Sequence, residues 1–301
     1  MFLVPLIKGG IPLNWNLETI TEIIRTGLKE DLGTGDVTTD SVVPEDHWSE
    51  AFITMKEDGV VAGLPLVKRI FQYLDSNIHF EFLHHDGEKV KFGDHLAKLS
   101  GSTRVILKGE RLALNFLQRM SGIATKVAEY KELIKDYPVR IVDTRKTTPG
   151  IRILEKYAVK SGGGDNHRMG LYDAVMIKDN HIEAAGSICD AVKNVREAIS
   201  HTMKIEVEVE NINGVNEALE AGADIIMLDN MSPEEMKKAV ELINNQAIIE
   251  ASGNIEKHNI VAVAKSGVDI ISMGTFTHTI RSLDISLNIS SKKIEDLSSR
   301  H

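Results

Sequence analysis

I-E-V-E-V-E-N-I-N-G-V-N-E-A-L-E-A-G-A-D-I-I-M-L-D-N-M-S-P-E-E, residues 205–235, decides the fold. Two short apolar runs, 205–209 and 224–228, flank a helical stretch that stops at Gly222, just before the second run. Runs of this length bounded by turn formers read as buried strands, and glycine suits a helix end. Ser232, Pro233 and Glu235 then open another helix, with a cap, a proline at the first helical position and an acid at the third. Strands separated by helices pair in parallel, because the helix carries the chain back to the same end of the sheet.

Working outward, the same theme recurs. Further apolar runs occupy 139–142, 173–177, 247–250 and 268–273, and Gly267 is another helix stop. So many βα units predict a closed or nearly closed α/β barrel, with an open doubly wound sheet as the alternative. Neither G-x-G-x-x-G nor a phosphate-binding P-loop follows any strand, which argues against the nucleotide-binding open sheet. Upstream, Asn16 is a helix cap, Leu17, Ile20, Ile24 and Leu28 follow at helical spacing, and Gly33 ends the segment. D-L-G-T-G-D-V-T-T-D at 31–40 reads as a loop. Residues 50–62, 78–84, 95–99 and 103–108 read as strands of a small antiparallel sheet, turned at Asp86–Gly87 and Gly93–Asp94. From Glu110 to about Tyr137 the pattern is helical; Ala113, Phe116, Leu117, Met120, Ala124, Val127, Tyr130 and Ile134 form its apolar stripe, and Gly122 is expected to kink it.

Bulk properties exclude some functions. A net charge of −9 opposes a nucleic-acid surface, yet basic residues gather between Arg140 and Lys178, which suits a small polyanion. The one cysteine, Cys189, can form no intramolecular disulfide and fits a reducing cytoplasm; it reads as a packing residue. The opening M-F-L-V-P-L-I-K-G-G is too short for a membrane span and lacks the charged start and cleavage site of a signal peptide.

What ends each strand points to the chemistry. The endings are D-T-R-K-T at 143–147, K-D-N-H at 178–181, Glu208 to Glu210, L-D-N at 228–230, A-S-G-N at 251–254 and M-G-T at 273–275. In a βα barrel all these ends face one mouth. Any one of them alone is an ordinary solvated loop; their convergence is not. Arg145, Lys146, His167, Arg168 and Lys178 would repel one another without a multiply charged anion, whose carboxylates or phosphates arginine forks match. Ser252, Gly253 and Asn254, like Met273, Gly274 and Thr275, precede helical patterns, where backbone N–H groups suit a phosphate. Glu208 and Asp229 suit Mg²⁺, ribose hydroxyls or developing positive charge on a sugar carbon, or else simply pair with nearby cations. S-G-G-G-D-N-H-R at 161–168 reads as a flexible loop carrying His167 and Arg168 to the ligand, or as a plain linker.

With these residues assembled, the chain resembles the quinolinate phosphoribosyltransferase family over nearly its whole length. The likeness lies in E-D-L-G-T-G-D-V-T-T at 30–39, E-R-L-A-L-N-F-L-Q-R-M-S-G-I-A-T at 110–125 and D-T-R-K-T-T-P-G at 143–150. It continues through K-S-G-G-G-D-N-H-R-M-G-L-Y-D-A-V-M-I-K-D-N-H at 160–181, V-E-V-E at 207–210, A-D-I-I-M-L-D-N at 223–230, A-S-G-N-I at 251–255 and G-V-D-I-I-S-M-G-T-F-T-H at 267–278. The resemblance implies an α/β sandwich domain of residues 1–111 with a C-terminal return at 279–301, and an incomplete α/β barrel at 112–278. It implies phosphoribosyl transfer to quinolinate with loss of CO₂ in a cytoplasmic enzyme, with Mg²⁺ as cofactor. It implies a homodimer in which Arg111 completes the neighbour's site. Thr144, Arg145, Lys146, His167, Arg168 and Lys178 would hold the quinolinate carboxylates and a phosphate. Glu208 and Asp229 would lie by the ribose and Mg²⁺, Lys146 and Lys178 would join them as catalytic groups, and 252–254 and 273–275 would take the 5′-phosphate, with His278 close by.

Three rivals remain at this point. A sister transferase acting on nicotinate would need fewer cations. A Schiff-base lyase could use Lys178, though such a lysine wants an apolar setting. A carrier domain could be built on 87–101, which resembles half of a lipoyl- or biotinyl-carrier fold, but no suitable hairpin-tip lysine is found there.

Overall fold

The computed structural model describes residues 17–290; the Asn16 cap, the opening decapeptide and residues 291–301 of the expected C-terminal return lie outside them. The chain folds as two compact units. Of the described residues, the first takes those up to Thr125, Ile153–Gly162 and those from Ile280 onward; the second takes Lys126–Arg152 and Gly163–Thr279. The expected boundary at 111/112 falls inside a helix.

In chain order the first unit opens with α1 (Leu17–Leu32), α2 (Val37–Val42), β1 (Trp48–Met55), β2 (Gly59–Val60), α3 (Leu64–Leu74), β3 (His79–Phe82), β4 (Lys89–Val90), β5 (His95–Ser102) and α4 (Thr103–Leu133). Ile20, Ile24 and Leu28 are the buried stripe of α1, and Gly33 follows its end at φ +50°, as expected of a helix stop. Six of the ten residues of the expected loop at 31–40 are helical instead, 31–32 in α1 and 37–40 in α2: the Asp36 carboxylate accepts from Thr39 N at 2.9 Å and starts α2. The apolar run at 103–108 is also no strand. It is the first turn and a half of α4, whose 31 residues run without interruption through Gly122. Gly122 is glycine for close approach: a Cβ there would lie 2.2 Å from the Arg281 carbonyl oxygen. In the 87–101 segment, Lys91 pairs with Asp58 and Lys98 with Glu50, both at 2.7 Å, so these lysines serve as surface partners.

The chain continues as β6 (Arg140–Val142), α5 (Arg152–Ser161), β7 (Val175–Ile177), α6 (Asp179–Ala185), α7 (Ile188–Ala198), β8 (Ile205–Val209), α8 (Ile212–Glu220), β9 (Ile225–Asp229), α9 (Pro233–Ile243), β10 (Ile248–Ser252), α10 (Ile260–Lys265), β11 (Ile270–Ser272), α11 (Thr275–His278) and β12 (Ile285–Ser290). α5 and β12 belong to the first unit. β12 completes a four-stranded antiparallel sheet of order β12-β1-β5-β3. Tyr157 of α5 donates to buried Asp86 at 2.7 Å, and the same carboxylate accepts the Gly63 and Leu64 N–H groups that start α3. Burial pushes the Asp86 carboxyl up to about 6, against those hydrogen bonds.

The second unit contains six parallel strands in the order β6-β11-β10-β9-β8-β7. The sequence-adjacent strands β6 and β7 are its two edges, so the sheet is an incomplete barrel. Ser232 caps α9 with Pro233 next and Glu235 reaching back, as its sequence dictates. Gly222 and Gly267 take φ +75° and +95° after their helices. Cys189 is exposed on α7, not packed as expected, because Ile188, Ala191 and Val192 form the buried face of that helix. Among the described residues no helix is long and apolar enough to cross a membrane.

Candidate active site

Because the six strands are parallel, their carboxyl ends share one rim, and register fixes which residues face the interior. Glu208 and Glu250 both pair with Met227, while Ser252 pairs with Asp229 and Met176 with Glu206. Residues two apart on a strand share a face. Glu206, Glu208, Glu250, Ser252, Asp229 and Lys178 therefore lie along one face, in steps toward the rim.

The two most deeply buried acids of this face were not singled out in the sequence. Glu206 and Glu250 are 3% and 2% exposed, and His167 Nε2 lies 3.3 Å from Glu206 Oε2 and 3.5 Å from Glu250 Oε1. Burial alone would lower the His167 pKa, but the hydrogen bonds and charges of the two glutamates outweigh it and raise it to about 9. Burial raises the Glu206 carboxyl, opposed by its bond to His167. The Arg168 amide lies 2.7 Å from His167 Nδ1 and donates to it only when that nitrogen is unprotonated. One such bond is worth about 1 kcal/mol, less than two carboxylates close to one ring. A signal existed: acids at 206 and 250 stand inside otherwise apolar runs, where only a partner makes burial affordable.

The loop carrying His167 is tied down rather than free. Asp165 bridges to Val142, donating to the Ile141 carbonyl at 2.8 Å. Asp143, fully buried at the end of β6, accepts from His167 N at 2.9 Å and Asn166 Nδ2 at 2.6 Å. Met169 N and Gly170 N both donate to Asp173. Arg168 donates to the Ala174 carbonyl at 3.2 Å and reaches Met176 Sδ at 3.6 Å, while its Nε is buried without an acceptor among the described residues. Burial and then the Arg145 charge lower its pKa. Two guanidinium groups held near each other, one with a spare buried donor, make a site short of negative charge.

At the rim, Lys178 and Glu208 form an ion pair. Of the two readings of Glu208, pairing with a nearby cation is thus the one its contact supports. Asp229 accepts from Asn230 Nδ2 at 2.7 Å, and Asn254 Nδ2 donates to Asn230 Oδ1 at 2.9 Å, linking the ends of β9 and β10. Asn230 and Asn254 take φ +56° and +50°, and Gly253 approaches Asn230 so closely that a Cβ would lie 2.2 Å from its Oδ1. Lys146 is exposed; its backbone carbonyl accepts from buried Thr277 Oγ1 at 2.6 Å. Its stem crosses Gly274, where a Cβ would lie 2.9 Å from Lys146 Cδ and 3.0 Å from His278 Cδ2. Thr144 Oγ1 accepts from Lys146 N at 3.0 Å. Met273 is buried beneath the turn. Lys126, also not singled out, donates to Thr275 O at 2.8 Å, Thr275 Oγ1 at 2.6 Å and Thr279 O at 2.6 Å. It braces the turn after β11. Arg111 stands on α4 in the other unit, exposed.

The second unit alone thus presents a cationic rim, two rim carboxylates and two glycine turns on one sheet end. Known proteins match this arrangement. The profile described as "Quinolinate phosphoribosyl transferase, N-terminal domain" matches residues 36–121, and that of the C-terminal domain matches 123–288. A probable nicotinate-nucleotide pyrophosphorylase [carboxylating] of Bacillus subtilis (strain 168) is 45% identical over 269 residues, covering 89% of this chain and 93% of its own. The protein so described from Synechocystis is 47% identical over 265 residues, covering 87% and 90%. The structure of the nicotinate-nucleotide pyrophosphorylase from Francisella tularensis superposes with a TM-score of 0.88 at 41% identity, covering 92% of this chain and 98% of its own. With both domain profiles matched in order and relatives aligned nearly end to end, the chain belongs to the quinolinate phosphoribosyltransferase family.

Proposed function

We propose that this protein joins quinolinate to phosphoribosyl pyrophosphate and decarboxylates it, giving nicotinate mononucleotide, pyrophosphate and CO₂ for NAD synthesis. The observation that carries this reading is the anion-deficient rim. Arg145, Lys146, Arg168 and Lys178 stand with a buried Arg168 Nε–H for which the described residues offer no acceptor. A pyridine dicarboxylate supplies the missing charge, and arginine forks bind its carboxylates in pairs. The turns at 252–254 and 273–275 take the 5′-phosphate through backbone N–H groups.

Glu208 and Asp229 are half-buried rim carboxylates. Such oxygens suit Mg²⁺ reached through substrate and water. Were Mg²⁺ held there by Glu208 and Asp229, it would supply positive charge for the departing pyrophosphate. On the protein side, quinolinate binding draws Lys178 toward a carboxylate and loosens its pair with Glu208. The freed Glu208 and Asp229 then face the positive charge that grows on the sugar carbon as the pyridine nitrogen attacks. When the adjacent carboxylate departs as CO₂, the electron pair it leaves stays on the ring carbon, where the positive pyridinium nitrogen stabilises it until a proton from solvent bonds to that carbon. No side chain forms a covalent bond; positioning and charge do the work. We further infer a cytoplasmic homodimer in which Arg111 of one subunit reaches the other's rim.

The test is a paired assay with Mg²⁺, phosphoribosyl pyrophosphate and either quinolinate or nicotinate. Quinolinate should give equal amounts of pyrophosphate and CO₂, and nicotinate should be used at least roughly a hundredfold less well, because losing one carboxylate leaves buried donors unpaired. Equal specificity constants would reject the assignment in favour of a nicotinate transferase.

A further inference from the structure

The pair of glutamates beneath His167 has no part in the chemistry described so far. Both are buried on the inward face, on β8 and β10. Among the described residues Glu206 Oε1 has no hydrogen-bond partner, and Glu250 Oε1 has only the approach of His167 Nε2 at 3.5 Å. Two buried carboxylates so close together are costly unless a cation lies between them. The ring that sits there is the residue before Arg168, whose guanidinium carries the unmatched donor. The other charged groups around the ring are Asp143, bonded to the His167 amide, and Arg168 itself, with Arg145 beyond it. The geometry points to Glu206 and Glu250 as positioning residues that grip His167 by its Nε2 edge and so hold Arg168, the next residue, in register for a dicarboxylate substrate.

This rests on the quinolinate reading for its kinetic consequence, but the grip itself can be read without substrate. His167 is charged when held between the glutamates, with a pKa raised to about 9. The glutamates act only through the ring, so their effects vanish when the ring is gone.

The experiment combines ring NMR with a double-mutant cycle. In protein labelled at histidine, the His167 resonance is identified by its loss in His167→Asn and titrated in wild type and in Glu250→Gln, a neutral isostere. The midpoint is expected to fall by about one pH unit or more in Glu250→Gln, since one of two stabilising charges is removed. In turnover assays Glu250→Gln should raise KM for quinolinate about tenfold, the scale of one lost charge-assisted contact, with kcat and KM for phosphoribosyl pyrophosphate within about twofold. The quinolinate KM should also begin to rise at lower pH than in wild type. In the His167→Asn background, Glu250→Gln should add nothing further. Glu206→Gln is the second variant if Glu250→Gln folds poorly, with thermal melting as the check. An unchanged His167 midpoint, or losses that add in the double variant, overturns the proposal. If wild-type protein makes no nucleotide from quinolinate while the midpoint still moves, the substrate reading falls and the grip on His167 stands.

Discussion

At the scale of single residues, Arg145, Lys146, Lys178, Glu208 and Asp229 stand at or just beyond strand ends, where polar residues follow apolar runs. The Lys178–Glu208 pair shows why composition alone misleads: the cation surplus at the rim is smaller than a count suggests. Glu208→Gln or Asp229→Asn should lower turnover by roughly two to three orders of magnitude, the usual size for losing one preorganised charged group. Both side chains are half-buried at strand ends, so circular dichroism and melting temperature should stay near wild type. Near-normal turnover at saturating Mg²⁺ would make that residue a structural partner only. Glu206 and Glu250 stayed hidden because an acid within an apolar run looks like a strand's solvent side until the partner on a distant loop is seen.

At the scale of elements, periodicity located the parallel strands closely but failed where helix and strand patterns overlap. Residues 103–108 are apolar enough for a strand; what makes them helical is their continuity with α4, a tertiary matter. Gly122 has the sequence signature of a break, yet its lack of a Cβ serves the Arg281 carbonyl. Alanine is intrinsically the better helix former by about 1 kcal/mol. Gly122→Ala should nevertheless destabilise the protein by about 1–3 kcal/mol, the cost of overpacking, read as a lower midpoint in chemical denaturation. A gain in stability would mean that the 280–282 backbone yields freely. Ser232→Ala removes the cap that Glu235 answers. It should cost about 1 kcal/mol in the same measurement, with turnover unchanged.

At the scale of the whole molecule, the shared site is the claim with the widest reach. Arg111 lies outside the unit that carries the rim and is exposed. In a two-fold dimer each subunit gives the other the same patch. Arg111→Ala and Lys178→Ala should each be nearly inactive, yet mixing them should restore activity. Random exchange makes half the dimers mixed, each with one intact site, so about a quarter of wild-type activity should return. Differentially tagged, verified mixed dimers without activity would confine Arg111 to its own subunit. The antiparallel sheet has a different consequence, concerning time. β1 pairs with β12, Glu50 opposite Ser290 and Met55 opposite Ile285, although residues 56–284 lie between the two strands. While the protein is being synthesised, β1 therefore waits with an open edge that includes Ala51, Ile53 and Met55, all fully buried in the finished fold. The six parallel strands emerge during that wait. Nascent chains arrested before Ile285 should be captured by chaperones and cut by protease near β1, and those arrested far enough past Ser290 for β12 to clear the ribosome should be protected. The strand made first is one of the last to be secured.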